Sequence, residues 1–203
     1  IEKMVKDAER KIVVSKAIIT ENEAEIEKFF KQAKAGGTEG LMIKKLDAPY
    51  QPGARVGYML KFKKVMENLD LAIVAAEWGE GKRSSWLSSY YLACRSDGGK
   101  LLEVGKVATG LKEKREEGLS FDEVTELLRP LITEEQGRLV RVKPKVVLEV
   151  AYEEIQKSPT YDSGYALRFP RVIRSRTDEK SIRDINTLED VERLYRTQKR
   201  QKA

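Results

Sequence analysis

The chain has 203 residues, enough for one large domain or two small ones with a sizeable core. Its net charge of +6 and pI near 9.2 are compatible with nucleic acid but do not single it out. There is no histidine and only one cysteine, Cys94, so Cys/His and Ser/His nucleophile pairs and an internal disulfide are excluded.

In chain order, residues 11–14 (KIVV) read as a short strand. A helix follows, predicted to start at Thr20 with a capping box to Glu23 and to end at Gly36 and Gly37. Its apolar positions, Ala24, Ile26, Phe29, Phe30 and Ala33, follow helical spacing. Two apolar segments, 39–45 and 58–65, are joined by a Pro- and Gly-rich link. From Leu69 the pattern turns to strands over LDLAIVAAEW, SSWLSSYYLACRS and LLEVGKVATG, with turns at Gly79–Gly81 and Gly98–Gly99. Cys94, inside YYLAC, reads as a buried strand residue of a protein from a reducing or indifferent compartment. A helix with a capping box from Ser120 to Glu123 runs to about Leu128. LVRVKPKVVLEVAYEEI reads as one or two long strands, followed by the basic segment RFPRVIRSR and a last helix from Thr187. Several short strands with an inserted helix suit a small barrel of the oligonucleotide-binding (OB) type. A boundary is expected near residues 66–69. The N-terminal piece would leave strand edges exposed without further chain, so the sequence reads as incomplete at that end. No apolar stretch reaches the ~18 residues that cross a bilayer, and no signal peptide opens the chain, so no membrane partner is expected.

Three segments place polar residues inside apolar runs. In Glu39-Gly40-Leu41-Met42-Ile43-Lys44, a strand puts Glu39, Leu41 and Ile43 on one face and Gly40, Met42 and Lys44 on the other. In Leu60-Lys61-Phe62-Lys63, period two brings Lys61 and Lys63 side by side, where they repel unless an anion such as phosphate lies between them. Arg55 is close enough in sequence to reach the same anion. The third segment, residues 168–180, carries Arg168, Arg171, Arg174, Arg176 and Lys180, suited to gripping phosphates. Each segment also reads as ordinary surface: an edge strand, a solvated face and a basic loop. No Cys/His metal cluster and no P-loop pattern is present. Gly79-Glu80-Gly81-Lys82-Arg83 is a turn whose basic tip, Lys82 and Arg83, could touch DNA phosphates.

At these segments the chain resembles the covalent nucleotidyltransferases, and most the archaeal and eukaryotic ATP-dependent DNA ligases. EGLMIKKLDAPY resembles their fourth motif, LKFKK the fifth and RFPRVIRSRTDEK the sixth, in order from about Gly37 to Lys180. The resemblance implies a mixed α+β, mostly β fold. Residues 1–66 would be the C-terminal portion of an adenylation (nucleotidyltransferase) domain, and 67–203 an OB-fold domain with a C-terminal helix. It implies ATP, as the source of AMP, and Mg2+, with the choice among ATP, ADP and NAD left open. Glu39 would help hold the metal, and Met42 would pack on the adenine. Arg55 and Lys61 would contact the nucleotide, assisted by Lys63. Arg176, Asp178 and Lys180 would orient the pyrophosphate leaving group. Lys82, Arg83, Arg168, Arg171 and Arg174 would meet DNA.

The implied activity is sealing of nicks in duplex DNA through a lysine–AMP intermediate and an adenylylated 5′-phosphate, in DNA replication, repair and recombination. The implied partners are nicked double-stranded DNA and the rest of the adenylation domain, with a sliding clamp left open. The implied location is the cytoplasm, with the nucleoid, or the nucleus. The family's sixth motif usually has lysine directly after the aspartate; here Glu179 intervenes. Met59 stands where an aromatic is common. The family's nucleophile motif, lysine-x-Asp-Gly, has no match: the only Asp-Gly, Asp97-Gly98, follows Arg95-Ser96. These 203 residues alone are therefore expected not to adenylylate themselves. Two other readings compete. One is an RNA ligase or mRNA-capping enzyme of the same superfamily. The other is a non-catalytic single-strand-binding barrel that stacks bases on Trp78, Trp86, Tyr90 and Tyr91.

Overall fold

The computed structural model describes residues 14–49, 51–53, 57–63 and 66–200, with residues 199 and 200 by backbone alone. The strand expected over 11–14 falls outside the described residues except for Val14, which lies in no regular element. The chain divides into two units, residues 1–64 with 201–203, and residues 65–200.

In the first unit, helix α1 (Glu23–Ala35) starts two residues later than the sequence suggested. Asn22 caps it: the Asn22 side chain accepts from the Ala24 N–H at 2.9 Å, while the Thr20 hydroxyl accepts only from the Asn22 N–H. Asn caps at least as well as Thr, and here it lies next to the first helical turn. Gly36 closes the helix, and Gly37 follows at φ +81°. Strands β1 (Gly40–Lys44) and β2 (Met59–Lys63) pair antiparallel, with Leu41 opposite Phe62 and Ile43 opposite Leu60. Phe30 of α1 meets Phe62 edge-on, with ring centroids 4.9 Å apart, so the helix covers the Leu41/Phe62 face.

The second unit is a sheet ordered β11 (Arg171–Ser175), β8 (Val147–Ala151), β3 (Leu69–Trp78), β4 (Leu87–Arg95), β5 (Leu101–Val107). The Val172 N–H donates to the Thr109 carbonyl at 2.9 Å, so β11 meets the chain leaving β5 and the sheet closes on itself. Leu71, Ile73, Tyr90, Leu92, Val104 and Leu148 fill the centre with no exposed surface. Helix α2 (Phe121–Leu128) has the expected capping box between Ser120 and Glu123 and adds Val124 and Leu128 to the core. Strand β7 (Leu139–Val142) pairs with both β3 and the polar β6 (Ile132–Gln136). Strands β9 (Glu154–Lys157) and β10 (Tyr165–Arg168) form a separate hairpin.

The segment expected to form one or two long strands thus forms three. It breaks at Lys143-Pro144-Lys145, where proline cannot donate to a ladder, and again at Tyr152–Glu153. Helix α3 (Leu188–Arg200) docks through Val191 and Leu194. Its Gln198 amide accepts from the Ile155 N–H and donates to the Ile155 carbonyl. This is the mixed, mostly β class expected, with the C-terminal helix in place. Among the described residues no helix is long and apolar enough to cross a membrane.

Candidate functional site

The β1–β2 pairing sets Met42 directly opposite Lys61 and Gly40 opposite Lys63. Residues facing each other across an antiparallel pair project to the same side, so Met42, Lys61 and Lys63 share one face, with Lys44 and Met59. It is the side away from Phe62 and α1. Met42 is half exposed there. The Glu39 carboxylate lies 3.6 Å from the Lys63 ammonium. Glu39 precedes β1 and is not held to its alternation, so it joins Met42, Lys61 and Lys63 rather than the Leu41/Ile43 face where the strand reading put it, while Arg55 lies outside the described residues. Gly40 permits this close pairing, because a Cβ on it would sit 2.2 Å from the Phe62 carbonyl oxygen. Among the described residues no acid pairs with Lys61. No cluster of three or more potential metal ligands is found among them either. Glu39 fits as a single ligand, which is what magnesium takes from a protein when phosphates fill much of its shell.

In the second unit the cations of residues 168–180 other than Arg171 are held by acids. A bulge between Val172 and Arg174 brings Arg174 into register with Glu149 on β8. Glu149 accepts from Arg174 Nε at 2.8 Å and from Arg176 Nη1 at 3.3 Å, and its other oxygen accepts from the Asn68 amide at 2.7 Å. The Asn68 and Arg174 hydrogen bonds hold its carboxyl below the usual range. Glu179 bridges Arg174 at 2.7 Å and Arg176 at 3.0 Å. The residue that interrupts the family's pattern thus closes the acidic side of an arginine pair. Lys180 turns to Asp70, at 2.5 Å. Asp178 lines an open depression with Thr177, Lys180, Lys143 and Lys145.

The residues expected to meet DNA are of two kinds. Arg83 pairs with Glu113 at 2.8 Å and lies over the Phe121 ring, Arg168 pairs with Glu154 at 3.5 Å, and Arg174 is held as described. Lys82 and Arg171 have no acidic partner among the described residues. Between Arg168 and Arg171, Phe169 is 64% exposed at φ +50°, although it precedes Pro170. A residue before proline ordinarily stays extended, so this backbone is strained. The aromatics of the single-strand-binding alternative are engaged elsewhere. Tyr90 is fully buried, Trp86 stacks on Phe121, Trp78 donates to Glu135, and Tyr91 donates to Glu77.

Two family models match the chain: the ATP dependent DNA ligase domain over residues 1–63 and the ATP dependent DNA ligase C terminal region over residues 83–179. The chain belongs to the ATP-dependent DNA ligase family. DNA ligases of Nanoarchaeum equitans and Archaeoglobus fulgidus are each 51% identical to it, over 202 and 199 residues. Each alignment takes in 98% of this chain and 35% of the relative, so the chain spans about a third of the length of the curated relatives it matches. A solved structure described as Pmar-Lig_PreS3 shares the fold at a TM-score of 0.52 and 24% identity, covering 76% of this chain and 31% of that one.

Proposed function

We propose that this chain supplies nucleotide-phosphate contacts and a DNA-binding surface to the ATP-dependent sealing of nicks in duplex DNA. Residues 1–66 act as the end of an adenylation domain and 67–203 as an OB-fold domain. The observation that carries the reading is the uncovered face of β1 and β2, where Met42 stands opposite Lys61 with Lys63 beside it. Met42 offers a soft apolar surface to the adenine. Lys61 stabilises charge at the α-phosphate, with Lys63 and Arg55 assisting. Lys63 is partly neutralised by Glu39, whereas Lys61, like Lys44 on the same face, has no acidic partner among the described residues. Glu39 would hold Mg2+, which when bound offsets phosphate charge. Arg176, Asp178 and Lys180 orient the pyrophosphate leaving group. Lys180 must leave Asp70 to do so, and Asp178 already faces an open depression. Lys82, Arg83, Arg168, Arg171 and Arg174 contact DNA phosphates without reading bases.

The test joins these 203 residues to the part of the Nanoarchaeum equitans ligase with which they do not align. The product is expected to seal a nicked DNA duplex with ATP and magnesium. Lys61→Ala should slow formation of the protein–AMP adduct at least about 100-fold. Joining of RNA ends in preference to nicked DNA would favour the RNA ligase alternative. An AMP adduct on the 203 residues alone, given labelled ATP, would contradict the reading that the nucleophile is supplied from elsewhere.

A further inference from the structure

Asp70, Glu149 and Arg174 stand in one rung across β3, β8 and β11. Glu149 is the centre of that rung. It lies between the fully buried Leu148 and Val150, and its side chain is only 17% exposed. A carboxylate so placed is costly unless satisfied, and three donors converge on it, from Asn68, Arg174 and Arg176. The Arg176 side chain is 18% exposed, with Nη1 on Glu149 and Nε beside Glu179. Its Nη2 has no partner among the described residues. The two acids differ: Glu179 sits in a turn and is 48% exposed, whereas Glu149 is anchored in the sheet.

We propose that Glu149 is a positioning residue, which from strand β8 fixes the orientation of the Arg176 guanidinium and leaves its Nη2 available to the phosphate tail of the nucleotide. This rests on the reading above that Arg176 orients the leaving group. The bulge at Ile173 is what makes it possible, since without the extra residue Arg174 would not register with Glu149 and the pair of arginines would not converge. Asn68, just ahead of β3, fixes the other carboxylate oxygen and so the plane of the carboxylate.

The first measurement uses the 203-residue chain and the side-chain nitrogen resonances of Arg176. Slow rotation about the Nε–Cζ bond is expected in the wild type. That hindrance should be lost in Glu149→Gln and weakened in Asn68→Ala, which removes only one bond and keeps the charge. The second uses the joined ligase. Glu149→Gln should slow self-adenylylation about tenfold. It should add nothing to Arg176→Ala, and should slow self-adenylylation more than sealing of a nick that already carries a 5′-AMP. An Arg176 side chain equally ordered in the variants would overturn the proposal. So would losses that multiply in the double variant, or a uniform loss over all steps, the mark of a merely structural role. If Arg176→Ala itself left self-adenylylation intact, the nucleotide reading would fall while the nitrogen resonances still reported the Glu149–Arg176 contact.

Discussion

At Lys180 the ammonium lies 2.5 Å from Asp70, and its neighbour Glu179 takes the arginines. The displacement of this lysine by one position is visible in the sequence, but its partner, 110 residues away, is not. Cys94 was easier to read, because an apolar run on both sides marks a buried strand. Its Sγ has no exposed surface and lies 3.6 Å from the Leu102 carbonyl, and burial pushes the thiol up to about 11. In the native protein at pH 8, iodoacetamide is expected to leave Cys94 unmodified, and denaturant should expose it. Prompt native labelling would mean that β4 is not packed as described.

Among the elements, β11 depends on a glycine. Gly110 has φ +101°, and a Cβ there would stand 2.1 Å from the Val172 carbonyl oxygen, at the point where the sheet closes. Gly110→Ala is expected to cost about 2–4 kcal/mol in urea unfolding. Gly137, also left-handed at φ +60° but with nothing near a Cβ, serves as the control, and Gly137→Ala should cost only about 1 kcal/mol. Equal losses would show that closure at Val172 contributes nothing. The pairing of Lys61 and Lys63 on one face was legible, because period two follows from the residues alone. The placement of Met42 across from Lys61 was not, since register depends on the partner strand. The bulge at Ile173 had no marker in sequence, and β6, with four polar residues in five, gave no apolar alternation to detect. The start of α1 was misjudged because Thr20 and Asn22 are both good caps, and only geometry chooses between them.

For the molecule as a whole, motifs in order along the sequence were enough to indicate the family, whereas the ion pairing of its cations was not accessible. That pairing sets the expected response to salt. Binding of the chain to a nicked duplex, followed by fluorescence anisotropy, should weaken steeply as salt rises. Lys82→Ala and Arg171→Ala should each reduce the slope of log K against log salt by about 1. Arg83→Ala should reduce it less, because the guanidinium must first leave Glu113. A flat salt dependence would remove the phosphate contacts from the proposal.

The same ion pairs make the protein's own carboxylates competitors of the phosphates. Arg83 and Arg168 can turn to a phosphate only by leaving Glu113 and Glu154, so each contact they make exchanges one anion for another.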